Sequence, residues 1–303
     1  MNPVLALLLR VPLHGLGLLV AALPRPLELV LGRALGRFGL LVDFKRRGIA
    51  RENMRRCLPE LGPRELDALL RANYEHYGIL GLELLHMFAP IPGHFRRYAE
   101  RVMRVTGFEN WEKAHAKGKG VLVFGGHSAN WELGSAAGGL HGTKPTIVTR
   151  HLKPKWLDEW MEKTRLSTGV ACAYQPRTMG AILKALRRQE TLGFVIDQYM
   201  PPPMGEPLRF FGATVHTLTA VAPLARRTGA AIVPVHNIRE EDGVIRLYFG
   251  PEFILSDDDR ADSQRMAEVL EKDIRATPSQ WLWAHRRFKN AVWPEPQRRR
   301  QPA

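Results

Sequence analysis

The chain has 303 residues, 45% of them hydrophobic and 24% charged, a balance that excludes a disordered or fibrous chain and suffices for one large α/β domain or two small ones. A formal net charge of +14 and a pI near 10.2 point to an anionic partner: nucleic acid, an anionic membrane surface or an acidic protein. Two cysteines, Cys57 and Cys172, are too few for a disulfide framework. With no CxxC pair and no zinc-spaced Cys/His cluster, they read as free buried thiols.

The N-terminus is apolar from Pro3 to Leu23 but is interrupted by Arg10, Pro12 and His14, and it runs into Pro24-Arg25-Pro26. That is close to the length of a transmembrane helix, with a charge and a proline inside. No basic segment precedes it, and the proline after Ala21-Ala22-Leu23 makes a poor cleavage context for a signal peptide. Residues 1–26 therefore read as an uncleaved anchor that spans or lies in the membrane; a buried soluble helix is the alternative. A single domain over 27–293 is expected after it, then a disordered tail over 294–303 with Arg298-Arg-Arg300.

From Leu27 to Met87 the pattern is helical. Leu27, Leu31, Leu35 and Phe38 recur at helical spacing with Arg33 and Arg37 between them. The basic run from Asp43 to Arg56 follows directly, and beside an apolar anchor it suggests contact with anionic headgroups. Pro63-Arg-Glu-Leu opens another helix with proline in its first turn.

Past Val102, short β-branched runs alternate with helices. Strands are predicted at 121–124, 146–149, 192–196 and 231–235, and helices at 130–138, 154–167, 179–189 and 217–228. Such alternation predicts an α/β fold with a mostly parallel central sheet flanked by helices. Val244–Phe249 alternates more strictly and predicts an antiparallel edge strand. Asp257-Asp-Asp259 can cap a last helix.

The strongest local signal is Phe124-Gly-Gly-His127-Ser-Ala-Asn-Trp-Glu132. A buried strand ends in two glycines and a histidine follows, at the sheet end where α/β proteins place their sites. Glycine, above all Gly126, lets backbone approach a ligand closely. Ser128 or Asn130 can cap the following helix. Glu132, one turn in, is then expected to reach back to His127. Such a pair suits proton transfer: the imidazole takes a proton from a substrate hydroxyl, and the carboxylate fixes its tautomer. The substrate hydroxyl is then the nucleophile, and backbone N–H groups at the turn can hold the oxyanion. A structural histidine beside an exposed glutamate is the bland reading of the same residues.

The His-x4-Glu pattern after an apolar strand, with Asn-Trp before the glutamate, resembles the lipid A biosynthesis lauroyl/myristoyl acyltransferase family, to which phosphatidylinositol mannoside acyltransferases are related. Four further segments are similar and in the same order: Ile49–Arg55; Phe194-Val-Ile-Asp197-Gln198 with Arg209-Phe-Phe-Gly212; Leu224–Pro234; and Trp281–Lys289. The resemblance covers about residues 27–290 and implies a glycerolipid-acyltransferase-like fold. It implies His127 as general base with Glu132 as its partner. It places Gly126, Asn130, Arg150, Arg165, Asp197 and Gln198 at the substrate, with the two arginines on phosphate-like groups and Asp197 orienting His127 or binding a hydroxyl. Arg286 and Arg287 either anchor the chain end or bind headgroups.

The reaction so implied moves an acyl chain from an acyl thioester, on acyl carrier protein or coenzyme A, to a hydroxyl of a membrane glycolipid such as a lipid A precursor. No cofactor beyond that co-substrate is implied, and the location implied is the bacterial inner membrane with the catalytic domain facing the cytoplasm. Anionic lipids and the glycolipid acceptor are the expected partners. Nucleic acid is not expected, since no recognition signature accompanies the charge. A mannosylated phospholipid or aminolipid acceptor is the alternative, as is a thioesterase using the same pair on water. A metal enzyme has too few spaced ligands, and a non-catalytic membrane protein is the remaining rival. Departures from the family pattern are Ser128-Ala129 inside the motif, the run Tyr199-Met-Pro-Pro-Pro203 after Gln198, and His216. The first two bear on acceptor or acyl-chain recognition and leave the His–Glu pair intact.

Overall fold

A computed structural model describes residues 3–176 and 178–294. Helices α1 (Pro3–Ala21), α2 (Arg25–Val42), α3 (Phe44–Cys57) and α4 (Pro63–Leu85) come first, and α5 (His94–Val102) leads into β1 (Met103–Thr106). Next come α6 (Phe108–His115), β2 (Val121–Gly125), α7 (Trp131–Leu140), β3 (Pro145–Thr149), α8 (Lys155–Leu166), β4 (Ala171–Tyr174), α9 (Met179–Arg187) and β5 (Thr191–Val195). The hairpin β6 (Gly205–Phe210) and β7 (Ala213–Leu218), then α10 (Val221–Thr228), β8 (Ala231–Arg239), β9 (Ile245–Phe249) and α11 (Asp259–Ala276) complete the order.

The main sheet has seven strands in the order β1-β9-β8-β2-β5-β3-β4, and all neighbours are parallel except β8 with β9. The expected mostly parallel α/β sheet is what forms. Parallel strands covered on both faces must be apolar throughout, as Val121 and Leu122 are, both fully buried. Two apolar layers form on the two faces, one around Leu122, Phe124, Ile232 and Met266, the other around Val121, Leu133, Val233 and Leu247.

Two expectations need correction. β9 pairs antiparallel with β8 as anticipated, but it is not an edge, because β1 pairs with its other side. The helix expected over 217–228 starts only at Val221, since Ala213–Leu218 forms β7 against β6. Thr214, Val215 and Thr217 are β-branched and favour the strand.

Glycines let the N-terminal helices seat closely. A Cβ on Gly36 would lie 2.1 Å from the Tyr74 carbonyl, and one on Gly78 would lie 2.0 Å from the Gly32 carbonyl. Only glycine permits this crossing of α2 and α4. The opposite side of α2 stays bare: Leu27, Val30, Leu31, Leu35, Phe38, Leu41 and Val42 are exposed, as is Phe44 beyond it. Among the described residues no helix is long and apolar enough to cross a membrane. Pro12 and Arg10 lie inside α1, and Arg33 and Arg37 inside α2. The tail expected over 294–303 lies outside the described residues apart from Pro294.

Candidate active site

β2 and β5 are parallel neighbours with Gly125 opposite Val195, so the residues two beyond each, His127 and Asp197, leave the sheet side by side. The Ile196 N–H donates to the Gly125 carbonyl at 3.1 Å and holds the two exits together. Asp197 then accepts three bonds: from the His127 backbone N–H at 2.6 Å, from His127 Nδ1 at 2.7 Å, and from the Trp281 indole N–H at 2.8 Å. With Nδ1 donating to a carboxylate, the imidazole keeps its Nε2 unprotonated, an acceptor that faces the Gln198 amide. Gln198 Nε2 lies 3.3 Å from that lone pair.

Burial opposes charge on His127, but the Asp197 carboxylate, its hydrogen bond and the field of Glu132 outweigh it and raise the imidazole above its ordinary 6.5. Burial likewise opposes charge on Asp197, yet His127 and the three donors hold its carboxyl below the usual range. Both shifts stabilise the same ion pair.

Glu132 sits elsewhere than expected. Both its oxygens are taken by Arg165, by Nε at 3.0 Å and by Nη2 at 2.6 Å. The role of orienting the second ring nitrogen of His127 belongs to Asp197. The physical reason is direction: Glu132 lies in the first turn of α7 and points across to α8, whereas Asp197 leaves the neighbouring strand beside His127. Arg165 in turn spends Nε and Nη2 on Glu132, has Nη1 3.7 Å from Cys172 Sγ, and is almost fully buried, so its charge is already paired before any phosphate arrives.

Of the two readings of Asn130, the helix cap forms and the substrate contact does not. It is fully buried; its oxygen caps α7 by accepting from Leu133 N–H at 3.1 Å, and its amide donates to Glu83 at 2.9 Å. No polar atom is left for a substrate. Arg150 is exposed beyond β3 and bonded to Gln175 at 3.0 Å; it does not line the cavity that Gly126, His127, Glu132 and Arg165 line. Gly126 does line it, and a Cβ there would meet Leu270 at 2.7 Å and Asp197 at 3.1 Å.

That cavity, of about 220 Å³, begins at His127, Trp131, Glu132 and Arg165. It runs along the sheet between Val123, Ile147, Val148, Phe194, Val235 and Phe249, with glycine at 134, 138 and 193. Its lining is mostly apolar, with the titratable His127, Glu132 and Arg165 past the end of β2, and this is the pattern of a pocket that holds an apolar chain beside a reactive group.

The support behind the loop was not legible in the sequence. Ala129 has a φ of +48°, a left-handed conformation that alanine rarely adopts. Its N–H donates to Gln280 O at 3.1 Å and its carbonyl accepts from His76 Nε2 at 3.1 Å. Burial, with Arg239 nearby, pushes His76 down to about 3, which keeps it a neutral donor. Glu83, fully buried, accepts from Asn130, Arg239 and, at 2.6 Å, Arg25 at the start of α2. Arg287, 1% exposed, donates to Gln198 O at 3.0 Å, His216 O at 2.7 Å and Thr217 Oγ1 at 2.6 Å. It therefore anchors the chain end, as one of its two readings held; burial without a carboxylate partner lowers it to about 10. Arg286 beside it is exposed.

A family model described as "Bacterial lipid A biosynthesis acyltransferase" matches residues 12–290. The chain belongs to that family. It is 30% identical over 283 residues to the lipid A biosynthesis palmitoleoyltransferase of Escherichia coli (strain K12), covering 91% of this chain and 90% of the relative. Identity to the lipid A biosynthesis lauroyltransferase of the same strain is 29%, over 91% and 90%. A phosphatidylinositol mannoside acyltransferase of Mycobacterium tuberculosis (strain CDC 1551 / Oshkosh) is 28% identical over 76% of this chain and 73% of its own. This acyltransferase thus carries its His127–Asp197 pair and its apolar cavity within the matched span.

Proposed function

We propose that this acyltransferase moves a fatty acyl chain from an acyl thioester, on acyl carrier protein or coenzyme A, to a hydroxyl of a membrane glycolipid, a lipid A precursor. The observation that carries the reading is His127 in the lining of a mostly apolar cavity, with Asp197 on Nδ1 and, among the described residues, only the Gln198 amide on Nε2. The acyl chain occupies the cavity and its thioester carbonyl sits beside His127. The acceptor hydroxyl displaces the Gln198 amide from His127 Nε2 and gives up its proton there as its oxygen attacks the carbonyl carbon. Asp197 stabilises the imidazolium, and Glu132 adds a second negative field. Backbone N–H groups at the glycine turn and the start of α7 hold the oxyanion. Collapse of the tetrahedral intermediate breaks the carbon–sulfur bond, and the thiolate takes the proton back from His127.

Acceptor identity rests on the relatives, two of which are named for lipid A biosynthesis. The bare apolar side of α2, with Arg33 and Arg37 among its leucines, supports a seat in the membrane interface rather than a span. On this reading the N-terminal segment lies along the bilayer surface, and the location is the inner membrane, cytoplasmic face.

The test is lipid mass spectrometry of a strain lacking the gene, complemented with the wild-type or the His127→Ala gene. One acyl chain absent from a named glycolipid, restored by wild type and not by His127→Ala, is expected. Restoration by His127→Ala at wild-type level sinks the mechanism.

A further inference from the structure

The exposed basic residues on and around α3 include both paired and unpaired ones. Arg37, Arg51, Arg55 and Arg56 are all paired, with Glu75, Asp67 and Glu52. Lys45, Arg46, Arg286 and Lys289 are exposed and have no carboxylate partner among the described residues. These four line two adjoining grooves between the start of α3 and the chain segment after α11, which share Lys45, Ile49 and Arg286. Glu52 also lines one groove, but Arg55 and Arg56 occupy both its oxygens. Four exposed cations lining adjoining grooves with no carboxylate partner among the described residues repel one another, and an anion there relieves that repulsion.

Its place ties it to the reaction. Arg286 is the neighbour of Arg287, which holds Gln198 O at 3.0 Å, and Gln198 Nε2 lies 3.3 Å from His127 Nε2. Lys289 Nζ stands 5.6 Å from the ring centre of Tyr199, the next residue. The groove and the base thus share the segment 198–199. His285 lines the groove as well, and Asp197 and His127 are close enough to act on its charge, although burial is what mainly lowers it. Just before Lys45 in the chain come Leu41, Val42 and Phe44, exposed by 65%, 53% and 70%, where the bare apolar stripe of α2 ends.

Cations at the rim of an apolar stripe match a lipid whose chains lie along the stripe and whose anionic headgroup turns in toward the site. An acidic carrier protein has no use for the apolar border. We propose that Lys45, Arg46, Arg286 and Lys289 bind a phosphate group on the headgroup of the acceptor lipid while its hydroxyl meets His127. This rests on the acceptor being a membrane glycolipid, as read above.

The test uses the full-length enzyme with acyl carrier protein as donor carrier and two acceptors, a phosphorylated lipid A precursor and the same lipid dephosphorylated. For Lys45→Gln/Arg286→Gln, KM for the phosphorylated acceptor should rise by about tenfold or more. KM for the dephosphorylated acceptor and for the donor should change by less than about twofold. Arg286→Lys, which keeps the charge, should recover most of the loss. An equal rise for both acceptors overturns the proposal. A rise confined to the donor overturns it in favour of carrier-protein docking. Cosedimentation of wild type and double variant with phosphatidylcholine vesicles, with and without the phosphorylated lipid, reads the groove without turnover. Phosphate-dependent binding lost in the variant supports the groove even where no acyl transfer occurs, and that outcome would count against the acceptor reading alone. Binding that is unchanged by the substitutions overturns the groove.

Discussion

Arg165 grips both carboxylate oxygens of Glu132, at 3.0 and 2.6 Å, in the wall of the cavity that His127 also lines. Each charge is buried on the strength of the other. Glu132→Gln leaves the guanidinium unpaired and should cost about 3–5 kcal/mol, read as a fall in melting temperature. Glu132→Gln/Arg165→Met removes both charges and should recover most of that stability. Transfer should not recover, because the field of Glu132 at His127 is gone in both variants. A double variant turning over at the wild-type rate would assign the pair to structure alone.

Asp197 predicts a pH signature. The base acts when neutral, so turnover rises with pH through the pKa of His127, and Asp197 holds that pKa above 6.5. The acidic limb of kcat/KM should therefore lie above 6.5 in the wild type. In Asp197→Asn the carboxylate is lost, the imidazole becomes easier to deprotonate, and the limb moves to lower pH. The plateau falls by roughly 10²–10⁴-fold, because the favoured tautomer and the partner for the imidazolium are lost together. A limb that stays in place in Asp197→Asn would exclude His127 as the titrating group.

The sheet and the histidine were legible because both rest on local pattern. Runs such as Val121–Phe124 and Ala231–Val235 carry strand preference in their own composition, and the two glycines before His127 mark the exit of a strand. The partner of His127 was not legible as such. Glu132 is five residues away in sequence and Asp197 seventy, and only the pairing of β2 with β5, Gly125 opposite Val195, decides between them. The resemblance places Asn130 and Arg165 at the substrate, and the sequence does not show the buried partners, Glu83 and Glu132, that engage them. Strand β7 was hidden by its run into α10, and the groove lined by Lys45 and Arg286 by a separation of more than two hundred residues.

Gly193 lies between Val123 and Ile147 on neighbouring strands and lines the cavity. A Cβ there would meet Ile147 at 3.5 Å and Val123 at 3.9 Å, ordinary contact distances. Side-chain volume at 193 is thus accommodated at the backbone and taken from the space available to the acyl chain. Gly193→Ala should fold normally. Gly193→Leu should transfer shorter chains in preference to the one wild type uses, with a loss of about 1–3 kcal/mol where the core is overfilled. Competition between acyl donors of different length, analysed by mass spectrometry of the product, measures it. An unchanged preference in a folded Gly193→Leu would place the chain elsewhere.

Asn130 does two things at once, and two substitutions separate them. Its oxygen caps α7 through Leu133 N–H, and its amide ties that helix start to Glu83, which Arg239 and Arg25 also hold. Serine at 130 keeps a cap acceptor but is too short to reach Glu83, whereas alanine loses both. Asn130→Ala should therefore be less stable than Asn130→Ser by about 1 kcal/mol, the ordinary value of a cap. Both should lose kcat by a similar factor, with the KM of each substrate little changed, if the tie to Glu83 is what holds the loop carrying His127 and the strained Ala129 in register. The chain from Arg25 through Glu83 to Asn130 also means that the seat of α2 bears on the same loop. Arg25→Gln should lower kcat in the same direction, and Arg25→Lys should recover part of it. Full activity in a folded Asn130→Ser would confine Asn130 to its cap and leave Glu83 no part in the geometry of the site.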